Sequence, residues 1–420
     1  MSVAFDSNVD LTVEVGFDSE PFANTQTFTD ISQYVRNISI NRGRSNELGQ
    51  FKAGSCELLL SNADNRFNPT QTTHYYDSVN GRTKIQPLKT LKISATYNST
   101  TYVLYYGFLD EIPVKYPALG ADSTVTFKAI DAFKIFQSQT IQSVGWKLGQ
   151  VGFGELGVST RLSYTDTQEL TSARVSRLLN TIGFPSSLRD INTGTLEIIQ
   201  QPVSANLLTA LQECETAENA QFFIASNGYV TFRNRDYKLS NTRATSIQAT
   251  FDNSGANLPY KNVETSFDTN EVINVYEWTR ESGSQQYSAD ADSISRYTAK
   301  TSTKTTKNVS DANVLSIIQQ KISETSTPIE RIDNLSITPR DDVNLWPKVL
   351  GLEFGDRVKV NITNPNSTTF SDEVWIESIT HNIDSSNQRW SYKINLSPAG
   401  SSSWILGQAK LGEGTRFAYS

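Results

Sequence analysis

The chain has 420 residues, is 37% apolar, and carries 37 Lys and Arg against 44 Asp and Glu for a formal net charge of -7. That length exceeds one compact core of ordinary size and implies about two to four domains, while the negative balance excludes a basic footprint for gripping nucleic acid. The low apolar fraction, with a polar surplus of Asn, Ser and Thr, suits sheets with one wet face and argues against a large multilayer α/β enzyme.

No run approaches the roughly 18 apolar residues of a membrane span, and Met1-Ser-Val-Ala-Phe-Asp lacks a basic and apolar leader, so a soluble protein made in a cytoplasm is expected. Cys56 and Cys214 each sit in an apolar stripe and read as buried thiols. Two cysteines and two histidines exclude zinc sites of the usual spacing.

In chain order, Leu11-Thr-Val-Glu-Val15 and Val35-Arg-Asn-Ile-Ser-Ile40 alternate as half-buried strands, and Cys56-Glu-Leu-Leu-Leu60 reads as a more buried one. The glycines and polar residues of 42–50 predict a loop. The stretch Ser61 to Pro87 is long for a structureless connection, and such loops are usually functional or docked on a partner. Leu91 to Ile112 is strand, Asn-Ser-Thr-Thr turn, strand, closed by Val125-Thr-Phe-Lys-Ala-Ile130. Asp131 to Phe136 reads as a helical turn or strand end, and Gly145 to Thr160 as glycine-rich connection.

Ser172 is expected to cap a helix whose Val175, Leu178, Leu179 and Ile182 follow helical spacing and which stops before Gly183 and Pro185. Ser204 is expected to cap a second, with Leu207, Leu208, Leu211 and Cys214 on one stripe. Gln221 to Arg235 is a hairpin around Asn227-Gly228, a pair that suits a two-residue turn with positive φ at both positions. Strands and Ser/Thr-rich turns follow to Lys304, Val272 to Trp278 being the clearest. Ser310 caps a helix carrying Val314, Ile317, Ile318 and Ile322, and Pro328 stops it.

One pattern occurs twice. Val358-Lys-Val-Asn-Ile-Thr-Asn-Pro-Asn-Ser-Thr-Thr-Phe370, with the strand to Ile383, resembles Leu91 to Ile112. Leu335 to Asp341 resembles Leu58 to Asp64 ahead of it, and Trp390 to Leu396 closes it as Val125 to Ile130 closes the first. One β-domain used twice gives a chain two similar faces.

No nucleophile elbow, P-loop, zinc helix or EF-hand loop is present. The paired acids Asp110-Glu111 and Asp341-Asp342 point to opposite faces of an extended strand and read as solvated turns. His74 and His381 have no Ser or Cys partner at motif spacing, and His381 reads as a packing or turn residue. Gly152-Phe-Gly-Glu-Leu-Gly157 lacks the flanking strand and helix of a phosphate cradle. No catalytic, cofactor or metal residue is expected, and no enzyme.

The order of parts resembles the tail hub, or baseplate hub, proteins of tailed bacteriophages. Gly49-Gln-Phe-Lys-Ala-Gly-Ser-Cys-Glu-Leu-Leu-Leu-Ser-Asn-Ala-Asp-Asn-Arg-Phe-Asn-Pro69 is similar to the start of hub-type minor tail proteins. Ser204 to Arg235 resembles the hub's inserted domain. Leu352-Glu-Phe-Gly-Asp-Arg-Val-Lys-Val360 with Val374 to Pro398 resembles its closing tube domain, and Trp404-Ile-Leu-Gly407 to Tyr419 resembles minor tail protein ends. Residues 61–87 and the C-terminal extension depart from the simplest pattern.

The resemblance implies a mainly β fold with an α+β insert: a first β-barrel-like tube domain at 1–135, a small inserted helix-hairpin domain at 136–240, a connecting region at 241–330, a second tube domain at 331–398 and an extension at 399–420. It also implies a homotrimer whose 3 × 2 = 6 β-domains meet a hexameric tail tube. Expected partners are the tail tube or distal tail protein, a spike, fibre or tape-measure protein, and phage DNA passing without specific binding. The expected location is the virion tail tip, after assembly in the host cytoplasm. Trp404, Ile405, Leu406, Phe417 and Tyr419 are candidate partner-docking residues. The alternatives are a distal tail ring protein and a polysaccharide-binding or -cleaving tail protein, the latter because six tryptophans and seventeen tyrosines could stack on sugars.

Overall fold

The computed structural model describes residues 3–6, 9–23, 25–116, 118, 122–143, 161–162, 168–200, 204–366 and 369–399. Its first β-unit is built from β1 (Val3–Asp6), β2 (Val9–Val15), β3 (Thr29–Asp30), β4 (Val35–Gly43), β5 (Lys52–Ser61), β6 (Thr90–Tyr97), β7 (Thr100–Glu111) and β8 (Thr124–Ile130). Alternation does the sorting: Val9, Leu11, Val13 and Val15 of β2 are buried, with Asp10, Thr12 and Glu14 between them less so. Asn98 and Ser99, both with positive φ (46° and 66°), turn β6 into β7, the conformation that matches the twist of a two-residue hairpin.

The long segment before β6 packs on its own chain. Phe67 is fully buried, with ring contacts to Tyr34, Tyr75 and Phe127, and residues 76–77 and 82–83 form a short hairpin.

A second unit uses β12 (Ile247–Asp252), β13 (Asn262–Ser266), β17 (Arg331–Ile337), β18 (Arg357–Thr363), β19 (Thr369–Asp384) and β20 (Arg389–Pro398). Hydrogen bonding in the first unit runs β4-β5-β8-β7-β6-β2, and in the second β13-β17-β20-β19-β18-β12. Numbered by position in the chain, each unit therefore places its strands in the same order: second, third, sixth, fifth, fourth, first. One difference is polarity, since β12 runs parallel to β18 whereas β2 runs antiparallel to β6. Both units carry an acidic β-bulge at matching places. Asp110 has no partner on β8, and Glu377 none on β20. Strands β12 and β13, which the sequence places in a connecting region, hydrogen-bond into the second unit.

Between the units lie α1 (Ala132–Ser138), α2 (Thr171–Thr181), β9 (Arg189–Ile191), α3 (Leu207–Glu218), β10 (Gln221–Ile224) and β11 (Val230–Arg233). Three local expectations change here. Helix α2 starts at Thr171 without a side-chain cap, and Ser172, inside it, accepts a hydrogen bond from the Gly194 N–H (2.9 Å). Ser204 lies in a short strand, and Asn206 caps α3 by accepting from the Thr209 N–H (2.8 Å). The hairpin turns over residues 225–229, with only Gly228 of the Asn227-Gly228 pair at positive φ (84°), a tight turn followed by a glycine bulge.

Helix α1 is capped by Asp131, whose carboxylate accepts from the Phe133 N–H (3.0 Å). Glu218 of α3 is fully buried and accepts from Thr171, Thr195 and the Leu196 N–H, which pins the 194–196 turn.

A third packing unit joins β14 (Val275–Arg280), β15 (Gln285–Ala289) and β16 (Thr301–Thr306) to α4 (Asp311–Thr325). Ser310 caps α4 as expected, accepting from the Asn313 N–H (3.2 Å), and Val314, Ile317 and Ile318 pack on Tyr276 and Trp278. Cys56 and Cys214 are buried free thiols. Among the described residues no helix is long and apolar enough to cross a membrane.

Val360 of β18 is fully buried opposite Phe251. Val360→Asp should lower unfolding stability by about 3 kcal/mol or more through an unpaired buried charge, as read by chemical denaturation.

Candidate functional site

Strand β19 is the element that holds the molecule together. Its first half pairs with β18, its second half with β4 of the first unit, and it pairs with β20 along most of its length. The chain leaves β4 through Gly43, at φ +111°, where a Cβ would lie 2.3 Å from the Glu377 carbonyl oxygen. Only glycine fits so close an approach.

On either side of Gly43 stands a buried arginine. The Arg44 N–H donates to that carbonyl (2.9 Å), its Nε lies 2.6 Å from Glu377 Oε2, and its guanidinium sits 4.6 Å above the Phe51 ring. Ser397 donates to Glu377 Oε1 (2.6 Å), and Lys238 Nζ is 3.4 Å away. Burial opposes ionisation of Glu377, but the Arg44 and Lys238 charges and the hydrogen bonds from Arg44 and Ser397 outweigh it and hold the carboxyl at about 2.

Arg42 pairs with Glu353 at 3.3 Å and lies 4.9 Å from the Phe354 ring centroid. Glu353 also accepts from the Ser226 N–H (2.9 Å), so one carboxylate ties β4, the approach to β18 and the β10–β11 hairpin together. Further along β19, His381 accepts from Trp390 Nε1 (3.2 Å), and burial, then the Arg42 charge, lowers its pKa to about 3 and keeps it neutral. It is a packing residue, as its position suggested.

The paired strands form one wet face that crosses both units. Along one row Glu111, Lys128, Glu57, Ser39, Asn382 and Ser391 stand side by side; along the next run Ile130, Ser55, Asn41, Thr380, Lys393, Ser336 and Asn262; along a third Thr126, Leu59, Asn37, Asp384 and Arg389. Their strand neighbours Ile38, Ile40, Leu58, Phe127, Ile383 and Tyr392 are buried beneath. In these rows Glu57, Glu111 and Asp384 balance Lys128, Lys393 and Arg389, leaving no net charge. Ser39 donates to Asn382 (2.8 Å) across the seam between the units. A charge-balanced Ser/Thr/Asn surface offers hydrogen bonds but no field to hold a polyanion.

The other sequence candidates do not converge. Asp110 pairs with Lys134 (3.5 Å), Glu111 with Lys128 (2.8 Å), and Asp342 accepts from the Asn344 N–H (2.8 Å). Exposed His74 contacts Thr73. Among the described residues no group of three or more His, Cys, Asp or Glu could hold a metal ion. Trp404, Ile405, Leu406, Phe417, Tyr419 and the Gly152–Gly157 segment lie outside the described residues. The sequence reading missed the junction, because Arg42-Gly-Arg44 reads as a polar loop; an arginine ending an alternating strand beside glycine was the available signal.

No protein-family model and no curated protein matches the sequence. Solved structures do match in fold, two tail proteins among them. A tail protein from Neisseria meningitidis superposes with a TM-score of 0.55 at 9% identity, covering 92% of this chain and 96% of its own. The 43 kDa tail protein of prophage MuSo2 from Shewanella oneidensis superposes with a TM-score of 0.56 at 11% identity, covering 93% and 98%. The chain has the fold of these two tail proteins, mainly β with an α+β insert.

Arg44→Ala leaves Glu377 buried without its main partner and should cost about 3–5 kcal/mol in denaturant unfolding. Because the fold holds Glu377 below its ordinary 4.5, its stabilisation is complete above that pH and is lost as pH falls toward about 2. The stability gap between the native chain and Glu377→Gln should therefore shrink over that window in a pH series of unfolding curves.

Proposed function

We propose, from a fold shared with phage tail proteins, that this chain is a structural component of a phage tail tip, a trimeric hub that adapts a hexameric tail tube to a threefold spike or fibre and lets DNA pass. The observation that carries the reading is the six-strand order repeated in two units of one chain. Three copies supply 3 × 2 = 6 such units, so a threefold ring can meet a sixfold tube with similar contacts all round.

The wet face across β8, β5, β4, β19, β20, β17 and β13 is the proposed channel lining. It spans both units, its named rows carry no net charge, and three chains together carry 3 × (-7) = -21. DNA moving past such a wall releases few counterions and is not retained. The proposed partners are further copies of this chain, the tail tube or distal tail protein, and a spike, fibre or tape-measure protein.

Native mass spectrometry across a concentration series tests the assembly: a trimer is expected, whereas a hexamer would identify a distal tail ring. Asn41→Lys, Asn382→Lys and Ser391→Lys together test the lining. All three positions are exposed, so stability should change by less than about 0.5 kcal/mol per site. A trimer then gains 3 × 3 = 9 cations on this face. Virions carrying it should deliver DNA more slowly at low salt, with the delay relieved as salt rises, and unchanged delivery would mean that the face points elsewhere.

A further inference from the structure

Among the described residues strand β13 pairs with β17 alone, which leaves its other edge open there. Beside that edge the structure exposes two large apolar residues, Phe267 (71%) and Ile329 (42%). The loop bearing Phe267 is held in place rather than left free. Arg331 reaches Ser266 (3.0 Å), Asp268 (3.2 Å) and Glu271 (3.2 Å), and Ser266 donates to Asp333 (2.9 Å). An exposed aromatic on a braced loop has little ordering entropy left to lose on docking.

The topology supplies the occupant. Ser266 pairs with Arg331, the first residue of β17, and β17 runs antiparallel to β20. Phe267, Ile329 and the end of β20 therefore lie at one end of the sheet, where the Ala399 N–H donates to the Glu373 carbonyl (2.8 Å) and fixes the point from which the chain continues. The next residues are Gly400-Ser-Ser-Ser403 and then Trp404-Ile405-Leu406. From β20 the vacant position beside β13 is three strand spacings away, about 14 Å. Five residue steps from Ala399 to Trp404 reach at most about 17 Å. The small polar linker is just long enough to bring the apolar triplet to the open edge and no further.

Charge agrees. Asp268, Glu271 and Asp333 surround Arg331 at this edge, and the extension carries Lys410 and Arg416 against Glu413.

We propose that Trp404-Ile405-Leu406 docks on the β13 edge of its own chain, adding a strand there and covering Phe267 and Ile329. A short tether makes the encounter intramolecular at an effective concentration near millimolar, which favours the chain's own edge over a neighbour's. The strap closes an edge that would otherwise invite pairing with other chains. This inference goes beyond the hub reading and stands without it.

Amide hydrogen exchange of residues 262–266 in the full chain and in a variant ending at Ala399 tests it, together with mild oxidation of the full chain bearing Phe267→Cys and Trp404→Cys. The native thiols Cys56 and Cys214 are buried and do not interfere. The expected result is at least about tenfold slower exchange at outward β13 amides in the full chain, and a cross-link within single chains. Equal exchange with no cross-link overturns the proposal. A cross-link found only between chains also overturns it, by seating the segment on a neighbouring copy.

Discussion

The packing of Glu377 against Gly43 and Arg44 is the constraint on which the rest of the molecule hangs. A bulged glutamate of the second unit turns into the interior, where its carbonyl touches a glycine of the first unit and its carboxylate takes the charge of an arginine one residue on. Burying an ion pair is costly unless the remaining lone pairs are filled, and here Ser397 and Lys238 fill them. The geometry permits one register between β4 and β19. A slip of one residue would put Arg44 or Glu377 in the interior alone and turn Asn41 and Asn382 inward.

Because that register is specified, the two units share more than a border. Trp346 and Trp390, edge to face at 5.2 Å, come from the last quarter of the chain and lie in the core of the first unit with Leu350 and Ile383. The first unit's interior is thus completed by residues about 300 positions downstream, a contact order that predicts slow, late closure of its core. Arg42, Glu353 and the Ser226 N–H extend the same coupling to the inserted hairpin. Phe51, Phe223 and Phe354 pack with centroids 5.1–5.3 Å apart over that meeting point.

The duplication is therefore one of strand order, not of environment. The first unit fills its interior from its own faces and the two tryptophans, whereas the second lays its inner face on α1, α3 and the β10–β11 hairpin in a shared apolar cluster. Similar outer faces on different inner supports are what a ring component needs if it must look sixfold on one side and threefold on the other. The proposed hub function depends on this division.

Much of the architecture was legible in the residues. Period-two alternation located β2, β4, β5 and the β6–β7 and β18–β19 hairpins, since one buried and one wet face impose that pattern locally, and helical spacing located α2, α3 and α4. Local chemistry was less decisive where a tertiary partner competed for the same group. Ser310 caps α4, but the Ser172 hydroxyl is used by Gly194, and Ser204 is drawn into a strand against Thr140–Gln142. The shared Asn-Ser-Thr-Thr text misled in detail: Asn98-Ser99 makes a two-residue turn, while residues 364–368 intervene before β19. What the sequence alone determined was the set of elements and their buried faces, because hydrogen bonding and burial within a few residues suffice for those. Only the tertiary structure decided that β12 and β13 belong to the second unit, that Arg42 and Arg44 are interior, and that a charge-balanced face crosses the seam, because each rests on pairing between distant strands, whose register no local pattern records.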